Sequence, residues 1–210
     1  MKLEIEAVFC DVDKNKIREK LRSLGARLIV PERKMVRTVF HLPHDPKHCF
    51  ARVRDEGDKI VITYKEFDND SVTGVKEINL IVNDYEDAVE LLRVLGLHEK
   101  SYEESMRETW ELDGAEVCID TWPWIPTYVE VEGTSVENMT AVSQKLGFNM
   151  ENALYCSVGH IYELYYDVKE EDINAGLDHW NRIEFVPLPD WLADKKKIIL
   201  PKNSILWYNM

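Results

Sequence analysis

Two short stretches set carboxylates side by side. In Leu3-Glu4-Ile5-Glu6-Ala7, strand alternation puts Glu4 and Glu6 on one face and the apolar residues on the other. In Tyr128-Val-Glu-Val-Glu132 the same spacing puts Glu130 and Glu132 beside Tyr128, with Val129 and Val131 opposite. Carboxylates that share a strand face repel, and sheets avoid this unless a cation lies between them. Asp120, across the Trp122-Pro-Trp124 turn, offers a third carboxylate. Oxygen donors of this kind suit a hard divalent ion such as Mg²⁺ or Mn²⁺.

Cationic side chains recur in the same way on the middle strands. Arg52 and Arg54 share a face backed by Ala51 and Val53, and Thr63 and Lys65 share one opposite Ile62 and Tyr64. Glu77 and Asn79 alternate with Ile78 and Leu80, and Arg107 falls on the face of Ser105 and Thr109. An antiparallel sheet with its charged side in water would also show charged faces. It would gain by interspersing the signs, however, and here acidic pairs fall on the first and last strands with basic residues between. Clusters of each sign suit a polyanion held with its metal: guanidinium forks match phosphate oxygens, and lysine adds a compact charge.

Those faces need a sheet to converge. Strand patterns run over Leu3–Phe9, Met35–Leu42, Phe50–Arg54, Lys59–Lys65, Val75–Val82, Ser105–Leu112, Ala115–Asp120 and Tyr128–Glu132, with tight turns at Asp55–Asp58 and Asp113-Gly114. Eight antiparallel strands closed into a barrel enclose room for one small ligand, with polar faces inward and apolar faces packed on helices outside. Three helical segments, Asp13–Gly25, Asp84–Gly96 and Ser135–Gly147, each open on an N-cap residue and close on Leu-Gly. The repeat of strand, helix and further strands reads as an internal duplication or as a common way of ending amphipathic helices. Beyond about His160 the chain turns aromatic, then charged and proline-rich, which predicts a segment wrapping the sheet or closing one end. Lys195-Lys-Lys197 reads as a solvated turn.

The chain has 210 residues, 45% of them hydrophobic, enough for a substantial core. Its net charge of -13 argues against a nucleic-acid or anionic-membrane binder. No apolar run approaches the roughly 18 residues needed to span a bilayer. Cys10, Cys49, Cys118 and Cys156 are scattered without a paired motif, as in reduced cytoplasmic proteins.

The ordered set Glu4-x-Glu6, Arg52-x-Arg54, Lys65, Glu77, Arg107, Asp120 and Glu130-x-Glu132 resembles CYTH domains, the triphosphate tunnel metalloenzymes. Arg54-Asp-Glu-Gly-Asp-Lys59 and Asp120-Thr-Trp-Pro-Trp-Ile-Pro126 look most like bacterial proteins labelled class IV adenylate cyclase. The resemblance covers about residues 1–165 and implies an α+β fold, an eight-stranded antiparallel closed barrel, with 166–210 as an extension packing on or capping it. It implies Mg²⁺ or Mn²⁺ held by Glu4, Glu6, Glu77, Glu130 and Glu132, with Asp120 as ligand or water-orienting group. Arg52, Arg54, Lys65 and Arg107 would bind phosphates, and Asp120, Lys65 and Arg107 would serve catalysis. Two family basic positions are Val8 and Ser105 here. Each lost charge-assisted contact costs about 1.5–3 kcal/mol, and neighbouring Lys34, Arg37 and Lys76 are the side chains able to compensate.

The implied substrate is a small triphosphate: ATP, thiamine triphosphate or tripolyphosphate. Cyclisation has a ribose hydroxyl attack the α-phosphorus, hydrolysis has water attack the terminal phosphorus, and a protein that binds without turnover is the third reading. Trp122 and Trp124 would stack on a base or pack against their own domain. His41, His44, His48 and Cys49 carry zinc-type donors without a recognised spacing. A homodimer is compatible with all of these readings.

Overall fold

A computed structural model of the protein describes residues 2–44, 49–67 and 75–197. The alternating N-terminal stretch forms one strand in two halves, β1 (Lys2–Glu4) and β2 (Glu6–Phe9). Next come β3 (Arg27–His41), β4 (Cys49–Asp55), β5 (Ile60–Phe67), β6 (Val75–Val82), β7 (His98–Leu112), β8 (Ala115–Thr121), β9 (Tyr128–Glu132) and a two-residue β10 (Arg182–Ile183). The ladder runs β1-β6-β5-β4-β3-β7-β8-β9-β2, antiparallel throughout, with β10 added parallel to β7.

Counting the N-terminal halves as one, eight strands curl into a half-barrel. The fully closed ring expected from sequence is an overstatement. The N-terminal segment pairs with β6 only over residues 2–4 and with β9 only over residues 6–9, and its two halves part at Ile5. At Val8 the edge facing away from β9 bonds instead to Leu154, with each backbone N–H to the other's carbonyl at 2.9 Å.

β3 and β7 are longer than their alternation suggested, 15 residues each, and pair along nearly their whole length. Pro31 hid the start of β3, because proline cannot donate to a ladder. The register between the two strands shifts across Val30–Arg33 and absorbs it.

The helices are those the caps dictated. α1 (Lys14–Ser23) starts where Asp13 accepts from the Asn15 and Lys16 amides at 2.9 and 3.1 Å. α2 (Tyr85–Val94) starts where Asp84 accepts from Asp87 N, and α3 (Val136–Leu146) where Ser135 accepts from Asn138 N. Gly147 closes α3 at φ 94°, a left-handed conformation that costs other residues. The element order β-α-β-β-β occurs twice, once up to β5 and again from β6 to β9.

The apolar sides of the strands bury against these helices. Ala7, Phe9, Val117, Ile119, Val129 and Val131 meet Ile17 and Leu21 of α1 and Met139, Val142 and Leu146 of α3. Phe40, Ala51 and Val53 meet Ala88, Val89 and Leu92 of α2. Each fully buried aliphatic side chain contributes about 1.5–3 kcal/mol, so this packing commits the opposite, charged side of every strand to the concave face.

The tail forms α4 (Val158–Tyr165), α5 (Glu170–Asn174) and α6 (Asp190–Ala193). It contributes Ile161, Tyr162, Tyr166, Ile173, Trp180, Ile183 and Leu192 to one cluster with Val8, Trp122, Ile125 and Tyr128. No helix among the described residues is long and apolar enough to cross a membrane.

Candidate functional site

Strand parity and register bring the charged residues together. Arg52 pairs with Thr63 and Val39, Arg54 with Val61 and Arg37, Lys65 with Glu77, and Arg107 with Asp120. Val8 and Cys118 flank Glu130, while Glu6 and Glu116 flank Glu132. Long side chains then reach past the neighbouring strand, from β5 across β6 to β1. Lys65 Nζ lies 2.8 Å from Glu4 Oε2, and the charges of Lys65, Glu130, Glu4 and Arg107 all act on Glu6.

The carboxylates share the concave face, with Glu4, Glu77 and Asp120 buried and Glu6, Glu130 and Glu132 partly so. Burial pushes Glu6 up to about 7, against Lys65, and Glu130 and Glu4 add to the rise. Glu77 is raised by burial and by Glu4 beside it. Burial also acts upward on Glu4, but Lys65 and Arg52 outweigh it and hold this carboxyl below its usual range. Asp120, only 1% exposed, takes a bidentate bond from Arg107 at 2.8 and 2.9 Å, and the same guanidinium reaches Glu130. Burial raises Asp120 to about 6 despite that partner, with Glu130 adding to it.

The basic residues are unequally satisfied. Arg54 Nε donates to Glu56 Oε1 at 2.8 Å, and Glu56 also meets Lys59 at 3.3 Å and Arg33 at 3.6 Å. Arg37 lies 3.5 Å from Glu103, within 3.4 Å of Ser105 Oγ, and 4.3 Å over the Trp122 ring. Arg52 is buried, and its Nε has no hydrogen-bond partner among the described residues. Burial, then repulsion from Arg54, Arg37 and Arg107, pushes its guanidinium well below the usual range. A buried cation in that state is costly unless an anion joins it.

The donor chemistry suits a divalent ion, although no three of these carboxylates have oxygens within 4.8 Å of one another among the described residues, so an ion would have to draw them together. The set is all oxygen, it joins carboxylates from β1, β2, β6, β8 and β9, and mutual repulsion at Glu6 is a strain that a cation relieves. Glu4, Glu6, Glu77, Asp120, Glu130 and Glu132 are the residues that could hold one.

Not every expected residue joins this group. Lys76 alternates with Glu77 and lies on the convex side, 3.6 Å from Glu66. Lys34 is likewise convex, 2.6 Å from Glu104. Of the two positions that lack a basic residue, Ser105 is fully buried next to Arg37, and Val8 packs into the tail cluster. Trp122 is 3% exposed and Trp124 Nε1 donates to Val186 O at 2.9 Å, so both rings pack within the protein.

The zinc-type stretch gathers only partly. His44 Nε2 lies 3.6 Å from Cys49 Sγ, His41 joins no three-ligand group among the described residues, and His48 lies outside them.

Sequence reading missed Glu103, buried on the concave face and accepting from Ser101 Oγ at 2.6 Å, and Glu56, which fixes Arg54. The alternation Ser101, Glu103, Ser105, Arg107 was the available signal once β7 is extended back to His98.

Solved structures share this fold. The PH1012 protein from Pyrococcus horikoshii OT3 superposes with a TM-score of 0.65 at 24% identity, over 75% of this chain and 98% of its own. A Vibrio parahaemolyticus protein provisionally assigned as an adenylate cyclase gives 0.65 at 10% identity, over 77% and 98%. A Hippeastrum protein, provisionally an adenylyl cyclase and found to have a dominant triphosphatase activity, gives 0.53 at 14% identity, over 75% and 91%. No curated protein matches the chain in sequence. The CYTH domain family profile matches residues 2–165, which is most of the chain, and the protein belongs to the CYTH domain family.

Proposed function

We propose that the concave face binds a linear triphosphate together with Mg²⁺ or Mn²⁺ and cleaves its terminal phosphoanhydride. The observation that carries this reading is Arg52, a buried guanidinium with an unpartnered Nε, facing carboxylates that repel one another. Arg52 Nε stays without a partner among the described residues. Glu6 and Glu77 stay raised by burial and by their carboxylate neighbours, although Lys65 opposes the rise. A metal–triphosphate complex supplies an anion to the first and a cation to the others.

When bound, the metal supplies Lewis-acid polarisation and neutralises phosphate charge. Arg52, Arg54, Lys65 and Arg107 hold the phosphate chain, and Arg37 extends the same basic wall. Asp120 orients the attacking water. Water adds to the terminal phosphorus, the bond to the bridging oxygen breaks, and orthophosphate leaves together with the diphosphate remainder, which is pyrophosphate when the substrate is tripolyphosphate. Arg107 and Lys65 stabilise the charge that gathers on the departing oxygen. Hydrolysis needs only the groups described here, whereas cyclisation also needs a base and ribose held in place. Trp122 and Trp124, the aromatic candidates for that task, are committed to internal packing.

Val8 favours a second reading, binding without turnover, because that position is sealed among Trp122, Tyr128 and Tyr162 instead of presenting a cation. A product-resolved assay with tripolyphosphate, thiamine triphosphate and ATP, each with Mg²⁺ and Mn²⁺, separates the readings. Metal-dependent orthophosphate release supports hydrolysis, and cyclic AMP would select the cyclase. Binding without product selects the second reading, and neither binding nor product overturns both.

A further inference from the structure

The tail carries a ligand group that the concave face does not use. α4 presents His160 and Glu163 one turn apart on one face, and α5 brings Glu170 against them. His160 Nδ1 stands 3.4 Å from Glu163 Oε2 and 3.3 Å from Glu170 Oε2, and the three donor atoms all lie within 4.8 Å of one another. N–H···O hydrogen bonds usually span about 2.7–3.2 Å. A tetrahedral zinc ion with bonds of about 2.0–2.1 Å sets its ligands about 3.3–3.4 Å apart. The two nitrogen–oxygen separations match the edges of that tetrahedron.

Glu170 is also held from outside the group. Its other oxygen, Oε1, accepts from Ser157 Oγ at 2.7 Å and from Asn174 Nδ2 at 3.1 Å, which leaves Oε2 directed at the imidazole. Gly159 makes this approach feasible, since a Cβ there would come within 2.6 Å of Asn174 Oδ1. Anchoring of a ligating carboxylate by neighbours is what metal sites require of their surroundings. The three side chains are 34%, 37% and 33% exposed, open enough for an ion to enter and for water to complete its coordination.

We propose that His160, Glu163 and Glu170 bind a zinc ion that staples α4 to α5. The two helices supply Ile161, Tyr162 and Ile173 to the cluster packed on Val8 and Trp122. The ion therefore fixes the tail against one end of the concave face and takes no part in binding phosphate.

The test uses the full chain, stripped by a chelator and titrated with zinc in excess Mg²⁺ so that the concave carboxylates are occupied. About one equivalent of zinc is expected to bind, both to the wild type and to Glu6→Gln/Glu130→Gln, and Co²⁺ in its place should give a tetrahedral absorption spectrum. Asn174→Ala, which removes one of the two outer anchors of Glu170 and no ligand, should weaken zinc by about tenfold, and His160→Ala by more. If His160→Ala does not fold, Glu163→Gln gives the same reading. The proposal is overturned if zinc does not bind under excess Mg²⁺, if these variants bind it as the wild type does, or if only Glu6→Gln/Glu130→Gln loses it.

Discussion

Two ionic clusters lie on opposite faces of the same sheet, and they are built differently. On the convex side Arg18 of α1 donates to Glu108 of β7 from Nε at 3.0 Å and Nη2 at 2.6 Å, and it also meets Glu32 of β3. Lys14 takes Glu32 at 2.6 Å, and Trp110 Nε1 donates to Glu108 at 2.6 Å. Two cations face two carboxylates, and the buried indole donor is satisfied as well. On the concave side Arg52 Nε has no partner among the described residues, and Glu6 is pushed up to about 7 by burial and then by Glu130 and Glu4, with Lys65 opposing. Burying charge is costly either way. The convex cluster offsets that cost internally and reads as structure. The concave one pairs Lys65 with Glu4 and Arg107 with Asp120 and Glu130. It still leaves Arg52 Nε without a partner among the described residues and Glu6 raised, which is the imbalance on which the proposed site rests.

Breaking the convex cluster should therefore cost stability and leave ligand binding alone. Glu108→Ala strands the Trp110 indole and removes the main partner of Arg18. Breaking a buried pair costs about 3–5 kcal/mol, and since Arg18 is partly exposed, about 3 kcal/mol is expected. Thermal unfolding of the metal-free protein should show the loss, with triphosphate affinity unchanged. Arg52→Met should behave in the opposite way. It removes a charge-assisted phosphate contact of about 1.5–3 kcal/mol, so tripolyphosphate should bind about 10–100-fold more weakly while the melting temperature of the free protein holds or rises. If Arg52→Met unfolded the protein and Glu108→Ala abolished binding, the distinction between the clusters would be wrong.

Much of this was legible in the chain because strand parity is rigid: once Glu4, Arg52, Lys65 and Glu130 alternate with buried apolar residues, their faces are fixed. The caps at Asp13, Asp84 and Ser135 were legible for the same reason, since each is a local bond. Long-range pairing was not. Glu103 stayed hidden because β7 begins in the weakly patterned run from His98, and Pro31 masked the first part of β3. Lys76 was assigned to the site by proximity in sequence to Glu77, yet parity alone places it on the other side. The packing of Val8 under Tyr162 depends on a tail more than 140 residues away in sequence, which no local pattern announces.

The same contrast predicts opposite responses to pH. Glu32 feels burial upward, but Lys14 and Arg18 outweigh it and hold its carboxyl below the ordinary range. A lowered folded pKa gives stability that is present above the unfolded value and lost as acid protonates the folded form. Glu6 works the other way. Its folded value, about 7, lies above the unfolded one, so its contribution is complete below the ordinary carboxylate range and is lost as pH rises towards neutrality. In metal-free protein, Glu6→Gln should flatten the fall in melting temperature between about pH 5 and pH 8, whereas Glu32→Gln should change only the acid limb. Added Mn²⁺ should raise the wild-type melting temperature more at about pH 8 than at about pH 5, because a cation competes with the proton for the same carboxylates. A Glu6→Gln profile superimposable on the wild type, with an equal Mn²⁺ shift at both pH values, would mean that the concave carboxylates are as well matched as the convex ones.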